Sequence, residues 1–250
     1  MGARRRARRS AFERCTGSRV AALGGSERRG RASAPPNAAV AVRRPGVAVA
    51  LAALARADAT LAELIDRYGK RVWQQRIAER PREPFAALLR AIVGQQVSVA
   101  AARTIFGRLE ASFGNSLPTP VQLLEADPGL LRSAGLSASK VRYARELALR
   151  ARQGMLDRTR FEGADDQTVA AALEAVPGIG RWTAQMFLIF HLGRLDVLPC
   201  EDLGLRRSVG LHYGYAETPS AAAVRELGER WMPYRSIATV YLWRAVATTP

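Results

Sequence analysis

The stretch that most restricts how this chain can fold is Leu173-Glu-Ala-Val176-Pro177-Gly178-Ile179-Gly180-Arg181-Trp182-Thr183-Ala184-Gln185-Met186-Phe187. An apolar helix face at Val169, Leu173 and Val176 stops at Pro177, whose ring lacks the N–H that a helix interior needs. Two glycines follow, two residues apart, and a second, almost wholly apolar helix begins at once. The order is helix, tight hairpin, helix. Glycines suit such a hairpin because they accept positive φ and carry no Cβ to hold another chain away. The N–H groups of Ile179, Gly180 and Arg181 are expected to point outward at a positive helix N-terminus, where a phosphate is favoured. Gly178, Ile179, Gly180 and Arg181 are therefore a candidate grip on a nucleic-acid backbone, one that positions without reading sequence. A tight turn inside a helical core is the plain alternative.

The rest of the chain after the first 45 residues also reads as helices. Two short ones are predicted between Gly46 and Tyr68, with Val47, Val49, Leu51, Leu54, Leu61, Leu64 and Ile65 as apolar positions. Pro81 to Pro84 breaks the chain. Phe85, Leu88, Leu89, Ile92 and Val93 then form the i, i+3, i+4, i+7, i+8 stripe of a core-facing helix. It ends at Gly94-Gln95-Gln96-Val97, and Ser98 can cap a helix carrying Ile105, Phe106, Leu109 and Phe113. Two short helical turns are expected from Pro118 to Ala134. Gly135 then stops the chain and Ser137 caps the next helix. Residues Gly154 to Asp165 read as irregular. After the hairpin, a helix from Arg181 to His191 rises about 17 Å, and the link Gly193–Glu201 can span roughly 30 Å, enough to return Asp202 to the hairpin. Further helices are predicted at Asp202–Val209, about 220–231 and 236–247. Nothing alternates as strands would, so the fold class is all-α.

Charge is unevenly placed. Of the net +16, residues 1–45 hold twelve arginines against two glutamates, leaving about +6 for the remainder. That leader lacks apolar periodicity and is expected to be disordered. Three readings of it stay open: a DNA-binding tail, an organelle transit peptide, or translated sequence upstream of the true start. Any argument for a nucleic-acid partner therefore rests on the folded part. A hydrophobic content of 48% suffices for a core. No apolar run reaches membrane-spanning length, which predicts a soluble protein with no membrane partner. The two cysteines, Cys15 and Cys200, suggest neither a disulfide framework nor a zinc site, and an intracellular compartment is the simpler expectation.

Pro177-Gly-Ile-Gly-Arg-Trp-Thr-Ala184, followed by Asp196-Val-Leu-Pro-Cys-Glu-Asp-Leu-Gly204, resembles the helix–hairpin–helix DNA glycosylase superfamily, and within it the compact form of the 3-methyladenine DNA glycosylase II branch. The likeness extends over about residues 50–247. It implies two helical lobes with DNA across the cleft between them, one built from residues 81–199 and carrying the hairpin, the other from both chain ends, 46–80 and 200–250. It also implies a monomer acting on double-stranded DNA that contains damaged bases. The four-cysteine iron–sulfur cluster of the endonuclease III relatives is excluded by cysteine number. No cofactor is expected, although hairpin carbonyls in relatives hold a monovalent cation.

The resemblance assigns Asp202 as the catalytic carboxylate. Cleaving an N-glycosidic bond builds positive charge on the sugar, which a nearby carboxylate stabilises. Asp202 is equally a good helix N-cap, and the two roles are compatible. In strand-cutting relatives a lysine follows the Gly-x-Gly-Arg of the hairpin; here Trp182 stands there, so water is the expected nucleophile and the strand is left uncut. Trp182, Met186 and Trp243 are the expected walls of a base pocket, since aromatic faces attract cationic alkylpurines, with ordinary core packing as the alternative. Gln96 matches the family's wedge into the gap left by a flipped base; a polar turn with cap duties is the other reading. Lys140 and Arg142 are possible phosphate contacts in a segment whose family role is structural. Glu201 is ranked below Asp202, and His191 and Cys200 are read as packing residues. The implied activity is hydrolytic excision of alkylated purines. Its rivals are a glycosylase for another lesion, such as hypoxanthine, and a non-catalytic DNA-binding helix–hairpin–helix protein.

Overall fold

The structure, a computed structural model, describes residues 46–78 and 83–247, and among them every regular element is helical. The Arg-rich leader and Pro81 lie outside the described residues. The elements are α1 (Val47–Ala57), α2 (Ala59–Tyr68), α3 (Val72–Ala78), α4 (Pro84–Gly94), α5 (Val99–Ser112), α6 (Pro120–Glu125), α7 (Pro128–Ser133), α8 (Ala138–Arg152), α9 (Arg158–Glu162), α10 (Asp166–Glu174), α11 (Arg181–Met186), α12 (Leu203–His212), α13 (Ala221–Gly228) and α14 (Arg235–Ala247). A π turn, Phe187–His191, prolongs α11, and a 3-10 turn, Glu229–Trp231, prolongs α13. Short polar side chains start most of these helices: Ser98, Ser137, Asp165, Asp202 and Ser220 each accept a hydrogen bond from the backbone N–H three residues on. At Thr119 the cap is reciprocal, with Gln122 reaching back to the Thr119 N–H.

The core is organised on α14, which is buried around its whole circumference, from Ile237 and Ala238 through Tyr241 and Leu242 to Ala245. Helices α1, α2 and α3 from one chain end and α12 from the other pack on it. In the middle of the chain α8 packs against α4, α6 and α7, while α4 also meets α5. The π turn lies against both α3 and α4, joining the two groups. No helix among the described residues is long and apolar enough to cross a membrane.

Buried polar groups pin this arrangement. Asp58, 4% exposed, accepts from the Leu61 N–H at 3.1 Å, the Tyr213 hydroxyl at 2.9 Å and the Trp231 indole N–H at 2.8 Å. Burial, with Asp58 alongside, pushes the Tyr213 hydroxyl far above the usual phenol range. One carboxylate thus fastens the α1–α2 corner to the distant end of the chain. Asp58→Ala leaves those donors without an acceptor, and the expected loss is about 3 kcal/mol. That corresponds to a fall in melting temperature of roughly 6–12 °C for a fold of this size; a thermal melt unchanged within 2 °C, about the least that 1 kcal/mol would give, contradicts the account.

Two local expectations fail, and one helix is unanticipated. Val49 is 56% exposed, because the inward stripe of α1 runs through Ala50, Leu51 and Leu54 instead. Helix α3, unanticipated, is only 7 residues long and shows no periodic signal, yet it buries Val72 and Trp73. Helix α9 forms inside the segment read as irregular, started by Asp157 and anchored by buried Phe161.

Candidate active site

The hairpin is built as a close approach. Gly178 has φ +87°, a conformation that L side chains rarely adopt, and a Cβ there would run into the ring of Tyr143 on α8. The turn closes with the Ile179 N–H donating to the Val176 carbonyl at 3.0 Å, and the Ile179 side chain is buried. That is a correction: the Ile179 N–H does not face outward, because the turn itself uses it. Gly180 begins α11 with no side-chain cap, and among the described residues the Gly180 and Arg181 N–H groups meet no acceptor. Arg181 is exposed, its guanidinium 3.9 Å from Glu174.

Beyond α11 the chain widens into the π turn, with the Leu192 N–H reaching back to the Phe187 carbonyl at 3.1 Å. The return link is stapled to the start of α14. Arg235 pairs in bidentate fashion with Asp196 at 2.8 and 2.9 Å, and Ser236 accepts from the Val197 N–H at 2.9 Å. The link therefore delivers Asp202 to a fixed place.

That place is between two tryptophans far apart in sequence. The Trp182 Nε1–H donates to Asp202 Oδ2 at 2.8 Å, and the Trp243 Nε1–H donates to Asp202 Oδ1 at 2.8 Å. Oδ1 also caps α12, accepting from the Leu205 N–H at 2.7 Å. A Cβ on Gly204 would lie 3.1 Å from Asp202 Oδ1 and 3.6 Å from the Trp243 ring, so glycine leaves room for this convergence. The Ser208 hydroxyl, fully buried, donates to the Leu242 carbonyl at 2.6 Å and locks α12 to α14 one residue before Trp243. Three donors thus hold the carboxylate. Two of the side chains about it are large, apolar and exposed: Trp182 is 51% exposed and Leu203 49%. An anionic oxygen beside an exposed apolar rim is arranged to stabilise a cation brought to it from outside.

The chain carries the sequence pattern of a known repair family. The family model for HhH-GPD superfamily base-excision DNA repair proteins matches residues 89–234, which include the hairpin, the π turn and Asp202. The chain belongs to the HhH-GPD superfamily. It is 32% identical over 165 residues to DNA-3-methyladenine glycosylase 1 of Schizosaccharomyces pombe, covering 65% of this chain and 72% of that one. Its structure is similar to that of the S. pombe 3-methyladenine DNA glycosylase in complex with abasic DNA, with a TM-score of 0.73 and 28% identity over 80% of this chain and 98% of that one. The DNA-3-methyladenine glycosidase of Bacillus halodurans is similar at a TM-score of 0.64 and 37% identity, covering 76% and 90%.

Within this HhH-GPD chain the other expected site residues divide. Gln96 is exposed at the α4–α5 turn with φ +54°. Arg142 is exposed and lies over the Tyr143 ring, 5.2 Å from its centre, which places it beside the hairpin. Lys140 is a correction. Its ammonium turns inward and donates to the carbonyls of Val93 and Gln95, each at 2.7 Å, so two of its three donors serve the protein rather than a phosphate. Met186 lines a separate cavity of about 150 Å³ with Thr183, Phe187 and residues of α4. Cys200 is buried, with the Arg225 guanidinium donating to its sulfur at 3.2 Å. Glu201 is exposed beside the site.

Trp243 has a second neighbourhood that the sequence did not reveal. It stacks on Phe190 at 5.9 Å and lines a cleft of about 300 Å³ with Tyr68, Gln75, Arg76 and Arg244. Arg76, from the unanticipated α3, lies 5.4 Å from the centre of the Phe190 ring. Among the described residues no cluster of His, Cys, Asp and Glu is placed to hold a metal ion.

Proposed function

We propose that this chain is a monofunctional DNA N-glycosylase of base-excision repair. It flips alkylated purines, such as 3-methyladenine and 7-methylguanine, out of double-stranded DNA and hydrolyses their glycosidic bond. The carrying observation is Asp202, held by the Trp182 and Trp243 indoles at an exposed apolar rim. The names of its relatives support the substrate class.

A purine alkylated at N3 or N7 is already cationic. When the C1′–N bond breaks, its electron pair leaves with the base, which departs neutral, and the positive charge moves to the sugar. Asp202 stabilises that charge. Water then forms the new bond to C1′ and loses its proton to the carboxylate or to solvent. Because Trp182 stands where a Schiff-base lysine would, the backbone stays intact. Such leaving groups need neither a redox group nor a strong general acid. Flipping costs a few kcal/mol, offset by the Gly180 and Arg181 N–H groups and Arg142 on the phosphates, and by Gln96 in the vacated gap. In this reading the protein acts as a monomer, with DNA between a lobe of residues 81–199 and one formed by the two chain ends.

The test is chromatography of bases freed from dimethyl-sulfate-treated duplex DNA by the purified protein. Both methylated purines should appear, and strands should break only after alkali. DNA binding without base release would leave a non-catalytic clamp; breaks without alkali would point to a lyase. The second reading is a glycosylase for another lesion such as hypoxanthine. Hypoxanthine release from a duplex, measured in parallel, decides it.

A further inference from the structure

The first turn of α8 and the turn after α4 are wired to the hairpin by bonds that neither catalysis nor the cap rules require. Lys140 donates to the carbonyl of Val93, near the end of α4, and to that of Gln95, just past it, each at 2.7 Å. The Gln95 side-chain amide donates in turn to the Gly178 carbonyl at 2.8 Å, across 83 residues of chain. Tyr143, one helical turn beyond Lys140, seats its ring against Gly178. Burial lowers the pKa of Lys140, which nevertheless keeps its place on two carbonyls. The residue next to Gln95 is Gln96, a non-glycine at φ +54° and exposed to solvent. Such a conformation persists only where the surroundings over-determine it, and here the surroundings are Lys140 on one side and the Ser98 cap on the other.

We infer that Lys140 is a positioning residue for duplex opening: through Gln95 it couples the Gln96 turn to the hairpin, so that side-chain insertion and phosphate grip reach the DNA in fixed register. This rests on the glycosylase reading above. Lys140 is inward, half-buried and touches neither the carboxylate nor its tryptophans, so it has no part in bond cleavage. Its loss should be felt only where a base pair must be opened. A misplacement of about 1 Å can cost up to two orders of magnitude in rate, and the opening cost is smallest at a mismatched base.

The experiment compares single-turnover release of 7-methylguanine from a matched duplex and from one in which the lesion faces a mismatched base, for wild type, Lys140→Met and Lys140→Arg. The matched-duplex rate of Lys140→Met should fall about tenfold and its mismatch rate less than about threefold. Lys140→Arg, which keeps a cation able to donate to both carbonyls, should recover much of the loss. Equal losses on the two substrates, or no loss on either, overturn the inference. If Lys140→Met does not fold, Gln95→Leu, which removes only the bond to Gly178, must show the same selectivity for the matched duplex, and the inference falls if it does not. Wild type that releases no base from either duplex sinks the glycosylase reading itself, and this inference with it.

Discussion

Replacing Asp202 by Asn will slow base release by about 10²–10³-fold while melting temperature and affinity for duplex DNA stay at wild-type values. The amide oxygen can take the place of Oδ1, where it keeps both the Leu205 N–H that starts α12 and the Trp243 indole. Asn and Asp cap helices about equally well, so the fold keeps its cap. The amide NH₂ then occupies the place of Oδ2 and faces the Trp182 N–H, donor against donor. Trp182 is half exposed and free to swing away, which a change in tryptophan fluorescence on mutation would report. What the variant lacks is the negative charge, and with it the stabilisation of the oxocarbenium-like sugar. A variant that releases methylpurines at more than about a tenth of the wild-type rate, well short of the loss expected for removing such a stabilising group, would remove Asp202 from the chemistry and leave it a helix cap. If the variant melts much lower, the cap argument fails instead.

The sequence carried the elements well because most start at Ser, Asp or Thr caps and run on apolar stripes, both of which are local. It also carried the return of Asp202 to the hairpin, since that needed only the reach of residues 193–201. It did not carry how the site is held. Trp182 and Trp243 read as pocket walls, and nothing local says that both indole N–H edges, rather than ring faces, turn to one carboxylate. Lys140 reads as a possible phosphate contact because its acceptors, the carbonyls of Val93 and Gln95, lie at the distant end of α4 and are main-chain atoms with no residue identity to detect. The Ile179 N–H is taken by the Val176 carbonyl inside the turn, which the glycine spacing does not show. Arg76 was missed with α3, a helix too short for periodicity to register. Asp58 carries no signal of its role, because its partners Tyr213 and Trp231 are 155 and 173 residues away. The contacts of Lys140 and Asp58 are long-range and polar, and no local pattern encodes them.

Gly178→Ala should disable the hairpin by two separable effects, each with its own readout. Left-handed φ at +87° costs an L residue roughly 1–3 kcal/mol, and the added methyl overlaps the Tyr143 ring, a further clash of about 1–3 kcal/mol. The protein should melt several degrees lower. Its affinity for undamaged duplex should fall about tenfold or more, because peptide planes tipped at Gly178 misdirect the Gly180 and Arg181 N–H groups, and anion binding at a helix start depends on their aim. Tyr143→Ala makes room for the methyl but leaves φ unchanged. In a double-mutant cycle the pair should therefore recover about 1 kcal/mol of stability relative to the sum of the single changes, while the DNA affinity stays low. Fluorescence anisotropy with a labelled duplex and a thermal melt measure the two arms independently. Wild-type affinity in Gly178→Ala would mean that the hairpin backbone does not hold the DNA. Recovery of affinity in the double variant would mean that crowding by Tyr143, rather than the handedness of the turn, sets the aim of those N–H groups.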